Sequence, residues 1–303
     1  MKKLNFSVTK LFKVTKWISL VAILPGLIAV IATICGASFF NFDIDFTGGT
    51  TMQVAIHTEA SQSVCNDISD LVKDTVGVKP SMVQSTGSGT VKDEVIIRTS
   101  ELTDDQADKV FDALAAKYKL DQKDLLSCDN ISATVGKDLQ SVALISSLVA
   151  VLLILVYISI RFDLRSGLAA ICCLAHDILV ILSFYVIFRI SMNINFIAAA
   201  LTILGYSINA TIVIFDRVRE LARGARKTPF EETVDKAVMQ SMGRSINTTI
   251  TTLVMIIMLL ILGVPSIRNF MLPLLIGVIC GGYSSICVSG PLWATFRRWF
   301  PKH

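Results

Sequence analysis

Residues 197–220 read IAAALTILGYSINATIVIFDRVRE, an apolar run that is long enough to cross a bilayer but is interrupted by polar side chains. A heptad repeat drifts by only about 20° per repeat around a straight helix, so polar residues seven apart form one stripe. That stripe must meet a neighbouring helix, a partner subunit or water. Its members are Asn195, Thr202, Asn209 and Asp216. The run therefore predicts a membrane-spanning helix with one polar face.

Five more apolar blocks accompany this helix. Of the 303 residues, 53% are hydrophobic and 17% are charged, against about 25% charged residues in soluble domains. This composition excludes an ordinary soluble enzyme, a disordered chain and a single-span receptor. The sequence predicts an α-helical polytopic membrane protein with six transmembrane helices, at 17–40, 139–160, 167–188, 194–216, 245–264 and 270–295.

Lysine and arginine are distributed unequally between the two sides of these spans. Seventeen lie on the side that holds the N-terminus (1–16) and the C-terminus (296–303), whereas the opposite short loops hold Arg189 and Arg268. Basic residues in short loops favour the cytoplasmic side. Both termini are therefore predicted to be cytoplasmic, and the insert 41–138 is predicted to be extracytoplasmic.

The insert, residues 41–138, has the composition of a separate hydrophilic domain. It holds 17 of the 24 acidic residues and nine of the 28 basic ones. Its hydrophobic patterns and turn signals predict a βαββαβ order, which is the ferredoxin-like arrangement. The predicted elements are a strand at 50–56, a helix at 59–76, strands at 82–85 and 94–99 around a turn at 86–89, a helix at 103–118 and a strand at 131–135.

The long loop between the fourth and fifth spans carries helix signals. Thr228 is a suitable N-cap, and Pro229 suits the first helical position. Apolar residues then recur at helical spacing from Phe230 to Met242. An amphipathic cytoplasmic helix is predicted at 228–243, lying at the membrane surface. Two roles stay open for it, a plain connector and a partner-binding helix.

The sequence predicts no metal site, no cofactor and no nucleic-acid partner. Most of the seven cysteines lie in apolar stretches, where cysteine behaves as a small hydrophobic residue. Cys65 and Cys128 share the insert at a separation that matches no zinc motif, and they are either free thiols or a disulfide. Orientation accounts for the basic residues, which leaves no basic face for nucleic acid.

Ionisable and amide side chains within the spans are the candidate functional residues, because burying them in a bilayer is costly. Asp177 is the carboxylate nearest the middle of a span, where desolvation is expected to make its neutral form accessible. Its neighbour His176 is expected to point about 100° away around the helix, which makes a poor catalytic dyad. We therefore expect no enzymatic activity. The candidate site residues are Asp177, Asn209, Asp216, Arg244 and Thr248.

Each candidate also has a structural explanation. Hydroxyl and amide side chains in spans often form hydrogen bonds between helices. Arg244 lies near the cytoplasmic edge and is a candidate for a snorkelling anchor. Asp216 lies beside arginines at the same edge. The structural alternative for Asp177 is a permanent hydrogen-bond acceptor for hydroxyls such as those of the fifth span.

Four motifs resemble those of the SecF proteins in the SecD/SecF family of bacterial protein-export membrane proteins. The first is FDIDFTGGT (42–50), just outside span one, with Asp43, Asp45, Gly48 and Gly49 as its characteristic residues. The others are RFDLRSGLAAICCLAHD (161–177), residues 197–220 and SMGRSINTTITTL (241–253). Together with six spans and an insert after the first, the resemblance covers nearly the whole chain.

This resemblance implies a function. It implies one half of an architecture similar to that of resistance–nodulation–division exporters, in the bacterial inner membrane among its lipids. The implied partners are a SecD-like subunit, the SecYEG channel, translocating preproteins and, indirectly, SecA. The chain would act as an accessory subunit that promotes ion-motive-force-driven export after SecA-dependent insertion. The alternative is a half-transporter of the same superfamily that exports small molecules or lipids.

One residue departs from the pattern of the resemblance. Many members have an aspartate, proposed to carry protons, directly after the asparagine that corresponds to Asn209. This chain has Ala210 there, which cannot titrate, although the expected cationic partner Arg244 is present. If this subunit carries protons, another buried acid must bind them, and Asp177 is the candidate.

Overall fold

The computed structural model describes residues 7–37, 39–86, 93–224, 228–262 and 265–299. The chain divides into two compact units, which we call the membrane unit (up to Asn41 and from Ile145 onward) and the α/β unit (Phe42–Leu144). Most of the turn predicted at 86–89 lies outside the described residues.

The elements follow one another along the described chain with α-helices at both ends. In chain order they are α1 (Val8–Ile34), β1 (Asn41–Phe42), α2 (Ile44–Thr47), β2 (Gly49–Ala55), α3 (Gln62–Val76), β3 (Met82–Thr86), β4 (Glu94–Thr99), α4 (Asp104–Tyr118), a 3-10 turn (Gln122–Asp124), β5 (Leu125–Ile131), α5 (Ala133–Arg161), α6 (Leu164–Ile187), β6 (Ser191–Met192), α7 (Ile194–Gly224), α8 (Phe230–Leu262), α9 (Pro265–Ser284), a π-helical turn (Ser285–Ser289) and α10 (Gly290–Trp299).

The α/β unit is built on an antiparallel sheet with the strand order β3-β4-β2-β5. Alternate residues of the central strands, such as Met52 and Ile97, face one buried core. The amphipathic helices α3 and α4 complete that core with Ile68 and Leu114 among others. The helices and the first three strands lie close to their predicted positions.

The last strand of the α/β unit was predicted at the wrong place. It runs from Leu125 to Ile131 rather than over 131–135, and α5 begins at Ala133. Pairing with β2 places Asn130 opposite Thr50. The Asn130 side chain then accepts from the Thr50 hydroxyl at 3.1 Å and donates to the Leu102 carbonyl at 2.8 Å. Tertiary pairing thus overrides the low strand propensity of a segment that contains Asp129 and Asn130.

Six helical segments within the described ranges are long and apolar enough to cross a membrane, which confirms the predicted polytopic class. They are Val8–Ile34, Ala133–Ile158, Leu164–Ile187, Ile194–Gly224, Phe230–Leu262 and Ile267–Trp299. The last of these spans consists of α9, the π-helical turn and α10.

The first helix starts and ends earlier than the apolar block at 17–40. Ser7 caps its N-terminus, and the Lys10 N–H donates to the Ser7 hydroxyl. The helix stops at Ile34 because Gly36 has a φ of 91°, which belongs to the left-handed region that favours glycine. Gly26 lets α1 approach α6 closely, since its N–H donates to the Ser183 hydroxyl at 2.8 Å.

The helix predicted at 228–243 is the first half of α8, which continues without interruption into the fifth span. Its apolar residues Val234, Ala237 and Val238 are fully buried. They pack in one cluster with Phe215 of α7 and Trp293 of α10. The predicted helix is therefore present but continuous with the fifth span, and the chain itself covers its apolar face.

Candidate functional site

Asp177 lies at the centre of a buried polar cluster where α6, α7 and α9 meet. Its side chain is 1% exposed. The Ser207 hydroxyl of α7 donates to Asp177 Oδ2 at 2.5 Å, and the Ser284 hydroxyl of α9 donates to the same oxygen at 2.9 Å. Two serines from two other helices thus hold one carboxylate. We call Asp177, His176, Ser207 and Ser284 the inner site.

His176 contacts its neighbour, contrary to the expectation that the two side chains point apart. His176 Nδ1 lies 3.0 Å from Asp177 Oδ1. Each interacting atom lies two bonds beyond its Cβ, so side-chain rotation closes the gap that the helix leaves between adjacent Cβ atoms. The expectation that the two side chains point apart is wrong, and the structure gives a buried histidine–aspartate pair.

Small residues on α9 allow the inner site to form. A Cβ on Gly281 would lie 3.1 Å from Ser207 Cβ, and a Cβ on Gly277 would lie 2.3 Å from Ile203 Cδ1. Glycine at these two positions lets α9 pack directly against α7. The close approach brings Ser207 and Ser284 to one carboxylate, and neither serine was among the site residues predicted from the sequence.

The polar faces of α7 and α8 meet in a second place, on the surface of the membrane unit. A groove of about 90 Å³ lies between them. Asn209, Arg244 and Thr248 are exposed there. We call this groove the outer groove; its lining residues are Tyr206, Asn209, Ala210, Val213, Arg244, Ser245 and Thr248. The structure therefore brings together three of the five predicted site residues and separates them from the inner site.

Thr248, Thr251 and Thr252 of α8 do not hold neighbouring helices together as their structural explanation would require. Thr248 donates to the Arg244 carbonyl at 2.9 Å, while Thr251 and Thr252 donate to the Thr248 carbonyl. Each hydroxyl is thus satisfied within its own helix. Tyr206 makes the hydrogen bond between α7 and α8, to the Thr249 hydroxyl at 3.2 Å.

Asp216 belongs to neither site. It forms an ion pair with Arg161 at 3.3 Å, and both side chains are about half exposed. Arg217, the next residue, donates to Gln240 of α8 at 2.7 Å. These contacts match the interpretation of Asp216 as part of a boundary cluster at the helix ends.

The motif outside span one serves the packing of the α/β unit. Asp43 caps α2 through the Ile44 N–H at 2.8 Å and pairs with Arg98 of β4 at 3.0 Å. Burial raises the pKa of Asp43, and the Arg98 guanidinium opposes that rise. A Cβ on Gly49 would lie 2.4 Å from the Thr99 carbonyl oxygen, and Gly49 has a φ of 127°. Asp45 lies within the same short helix α2.

Gly48, the residue before Gly49, has a similar role. Gly48 has a φ of 72°, and a Cβ there would lie 2.6 Å from Ala133 Cα at the start of α5. The Gln140 amide also donates to the Phe46 carbonyl at 2.6 Å. The motif therefore fixes the base of the α/β unit against the first turns of α5.

The described residues contain no group of three or more histidine, cysteine or acidic side chains arranged to hold a metal ion. Cys65 is buried in α3 and Cys128 is exposed on β5, both as free thiols. Burial raises the pKa of both thiols, which disfavours the reactive thiolate.

A family profile described as "Protein export membrane protein SecD/SecF, C-terminal" matches residues 110–299. The chain belongs to the SecD/SecF family. The matched SecD/SecF region covers more than half of the chain and contains the inner site and the outer groove.

Individual SecD/SecF relatives are similar in sequence over most of this chain. The protein translocase subunit SecF of Sebaldella termitidis is 36% identical over 86% of this chain and 83% of its own length. The SecF of Haemophilus influenzae is 36% identical over 95% of this chain and 86% of its own length.

Solved SecD/SecF structures have the same fold. The crystal structure of SecDF from Thermus thermophilus, a translocon-associated membrane protein, gives a TM-score of 0.85 at 28% identity. This chain is covered over 98% of its length but spans only 40% of that structure. A SecDF structure in the super-membrane-facing form gives a TM-score of 0.67 at 30% identity.

Proposed function

We propose that this chain is an accessory subunit of the bacterial Sec protein translocase and works in complex with a SecD-like partner. Its relatives are named as protein translocase subunits. In the SecDF proteins of Thermus thermophilus and Bacillus subtilis, the matching region makes up 36% and 34% of a longer chain. Those fused relatives carry a second half on the same polypeptide, and a separate SecD-like subunit would supply that half here.

The outer groove carries this proposal. Arg244 and Asn209 are exposed on helices that are apolar enough to span a bilayer. A cation that faces lipid is costly, and polar faces of spans default to the bundle interior, a partner or water. Only 11% of the most apolar stretch of α8 is buried within the described chain. A partner that covers α7 and α8 would place Arg244 and Asn209 in an interface and would bury the apolar surface of α8.

The finer parts of the proposal follow from the family. The complex would associate with SecYEG in the inner membrane and promote preprotein export after SecA-driven insertion, drawing on the ion-motive force. Both termini would be cytoplasmic, and the α/β unit, with its ferredoxin-like strand order, would be extracytoplasmic. The 17-to-2 bias of basic residues supports that orientation.

The candidate residues have separate roles in this proposal. Asn209, Arg244 and Thr248 face the partner, and Asp216 stabilises the helix ends. Ala210 removes a titratable group from the outer groove, so we assign ion coupling in this subunit to Asp177, an acid buried within the third span. Asp43, Asp45, Gly48 and Gly49 maintain the α/β unit.

Affinity capture of the full chain from mild detergent tests the proposal. We expect a SecD-like protein and SecYEG to be recovered with the wild type, and the SecD-like protein to be lost with Arg244→Gln. The matched control is Arg217→Gln, which removes a cation near the end of α7 but outside the groove. A functional homo-oligomer recovered without either partner would refute the proposal and favour the half-transporter.

Orientation has its own test. Single cysteines introduced as Ser88→Cys and His303→Cys in a cysteine-free chain are labelled with an impermeant thiol reagent in intact cells. We expect labelling at position 88 and protection at position 303. The reverse pattern would contradict the assigned topology.

A further inference from the structure

His176 has a ring nitrogen with no partner in the interior of the membrane unit. The residue is 8% exposed, and its Nε2 atom is buried without a hydrogen bond from any described residue. The other nitrogen, Nδ1, is engaged by Asp177 at 3.0 Å. Buried polar atoms in proteins are nearly always paired, so this atom is an exception that calls for an explanation.

The contacts of the carboxylate indicate which ring nitrogen of His176 faces it as a donor. Both serine hydroxyls donate to Oδ2 of Asp177, which is the arrangement that an ionised carboxylate favours. A carboxylate oxygen can only accept, so Nδ1 carries the hydrogen toward Oδ1. In a neutral ring Nε2 is then an unprotonated acceptor, and its lone pair is free to take a proton.

The surroundings favour the uptake of one proton by the pair. No described lysine or arginine forms an ion pair with Asp177, so His176 is the basic group that faces it. The other titratable groups around the pair are the thiols of Cys173 on α6 and Cys280 on α9, and the phenol of Tyr283 on α9. Tyr283 hydrogen-bonds α1, through the Thr15 carbonyl and the Ser19 hydroxyl. On α7 the facing group is the neutral Ser207.

We infer that the His176–Asp177 pair is a proton-binding site in the membrane unit, with His176 Nε2 as the atom that receives the proton. Binding converts the neutral ring to an imidazolium beside the carboxylate, so the net charge of the pair changes from −1 to 0. A net charge in a low-dielectric interior is unfavourable. Neutralising it therefore offsets the free-energy cost of taking a proton from solution. Release returns the proton from Nε2 and restores the charge of −1.

The two serines connect this charge change to other helices. Ser207 lies on α7 beside the outer groove residues, and Ser284 lies at the end of α9 next to the π-helical turn. Both bond most strongly to Asp177 when the pair carries a net charge, and less strongly when the imidazolium competes for the carboxylate. Proton binding therefore loosens α7 and α9 from α6. This coupling role rests on the proposed function, whereas proton binding by the pair does not.

Nitrogen NMR of the full chain in lipid bilayers, with labelled histidine, measures the protonation directly. The chain has three histidines, and the His176 signals are assigned by their loss in His176→Asn. We expect Nε2 to take up a proton between pH 5 and 9 while Nδ1 stays protonated. In Asp177→Asn the counter-charge is gone, and the same uptake should need a proton concentration about 10- to 1000-fold higher. An Nε2 signal that does not change over this range would overturn the inference.

Export measured at different ion-motive forces tests the coupling. His176→Asn retains an N–H donor for Asp177 but lacks Nε2, and we expect its export to lose dependence on the force while the chain still captures its partner. The matched control is His57→Asn, which alters an exposed histidine that pairs with Asp124 at 2.8 Å in the α/β unit. Unchanged force dependence in His176→Asn would overturn the coupling role. Export that is insensitive to deletion of the whole chain would instead refute the proposed function, and the NMR result would be unaffected.

Discussion

The inner site and the outer groove both include residues of α7, and they differ in where their polar groups find hydrogen-bond partners. In the inner site, Asp177 takes hydrogen bonds from α6, α7 and α9, and each serine donor is fully buried. In the outer groove, Arg244, Asn209 and Thr248 are exposed, and the threonine bonds only to its own helix. The carboxylate of the inner site is satisfied by described residues of the chain, whereas the outer groove is left open.

This difference separates folding from assembly. Deleting a partner of a buried charge is strongly destabilising, because the remaining groups are left unpaired. An exposed polar side chain contributes little to the stability of the isolated subunit. Substitutions in the inner site should therefore act on the free energy of unfolding, while substitutions in the outer groove should act on binding of the partner.

The largest effect is expected for Asp177→Ala. It leaves Ser207, Ser284 and His176 without their shared acceptor, and the free energy of unfolding should fall by about 3–5 kcal/mol. Denaturation of the purified chain in detergent measures this, with Asn209→Ala as the control from the outer groove. Equal stability of the two variants would break the distinction between the regions.

Ser207→Ala and Ser284→Ala should have intermediate effects. Each removes one hydrogen bond to a charged group, and each should lower the free energy of unfolding by about 1.5–3 kcal/mol. Because both hydroxyls bond to Asp177 Oδ2, the double variant should differ from the sum of the single ones by at least about 0.5 kcal/mol. A strictly additive pair in the double-mutant cycle would show that the two bonds are independent.

Thr248→Val should change the free energy of unfolding by no more than about 0.5 kcal/mol, because its hydroxyl is exposed and bonds only to the Arg244 carbonyl. The same variant should reduce recovery of the SecD-like partner. Thr295→Val is the control, since Thr295 also donates to its own helix, at the Pro291 carbonyl, but lies outside the groove. A loss of stability in Thr248→Val without loss of partner would reverse our assignment of the groove.

The smallest effect on the isolated chain is expected for Ala210→Asp. The new carboxylate would line the outer groove together with Arg244, and exposure of the groove screens their interaction to within about 1 kcal/mol. Unfolding measured at pH 5 and pH 8 checks this. A large pH-dependent change in stability would show that the groove is shielded from solvent within the single chain. That result would contradict the exposure of Asn209, Arg244 and Thr248.

Local sequence patterns made much of the fold predictable. The spans follow from apolar length, and the α/β elements follow from hydrophobic period and turn residues. The last strand was misplaced because its position depends on pairing with β2, more than 70 residues earlier. The extent of α8 was missed because its first half is polar enough to resemble a surface helix, and only the buried contacts of Val234 and Val238 show otherwise.

The outer groove was largely predictable, and the inner site was not. Asn209 and Arg244 are conspicuous in apolar spans, so their residue types alone mark them. Ser207 and Ser284 are ordinary in such helices, and they lie 30 and 107 residues from the carboxylate that they hold. The signal that was available is the glycine spacing on α9, since Gly277 and Gly281 indicate a close helix contact near Ser284.

The unbroken α8 has a mechanical consequence. With 33 residues it is a rod of about 50 Å that carries Arg244 near its middle. Its N-terminal end is anchored to the start of α1, because the Asp235 carboxylate accepts from the Ser7 hydroxyl at 2.6 Å and from the Thr9 N–H at 2.8 Å. Val234 and Val238 pack against Gly290 beside this anchor, so the start of α8 is held on two sides. A force applied at Arg244 would therefore act directly on this anchored end, because the described helix is unbroken between the two positions.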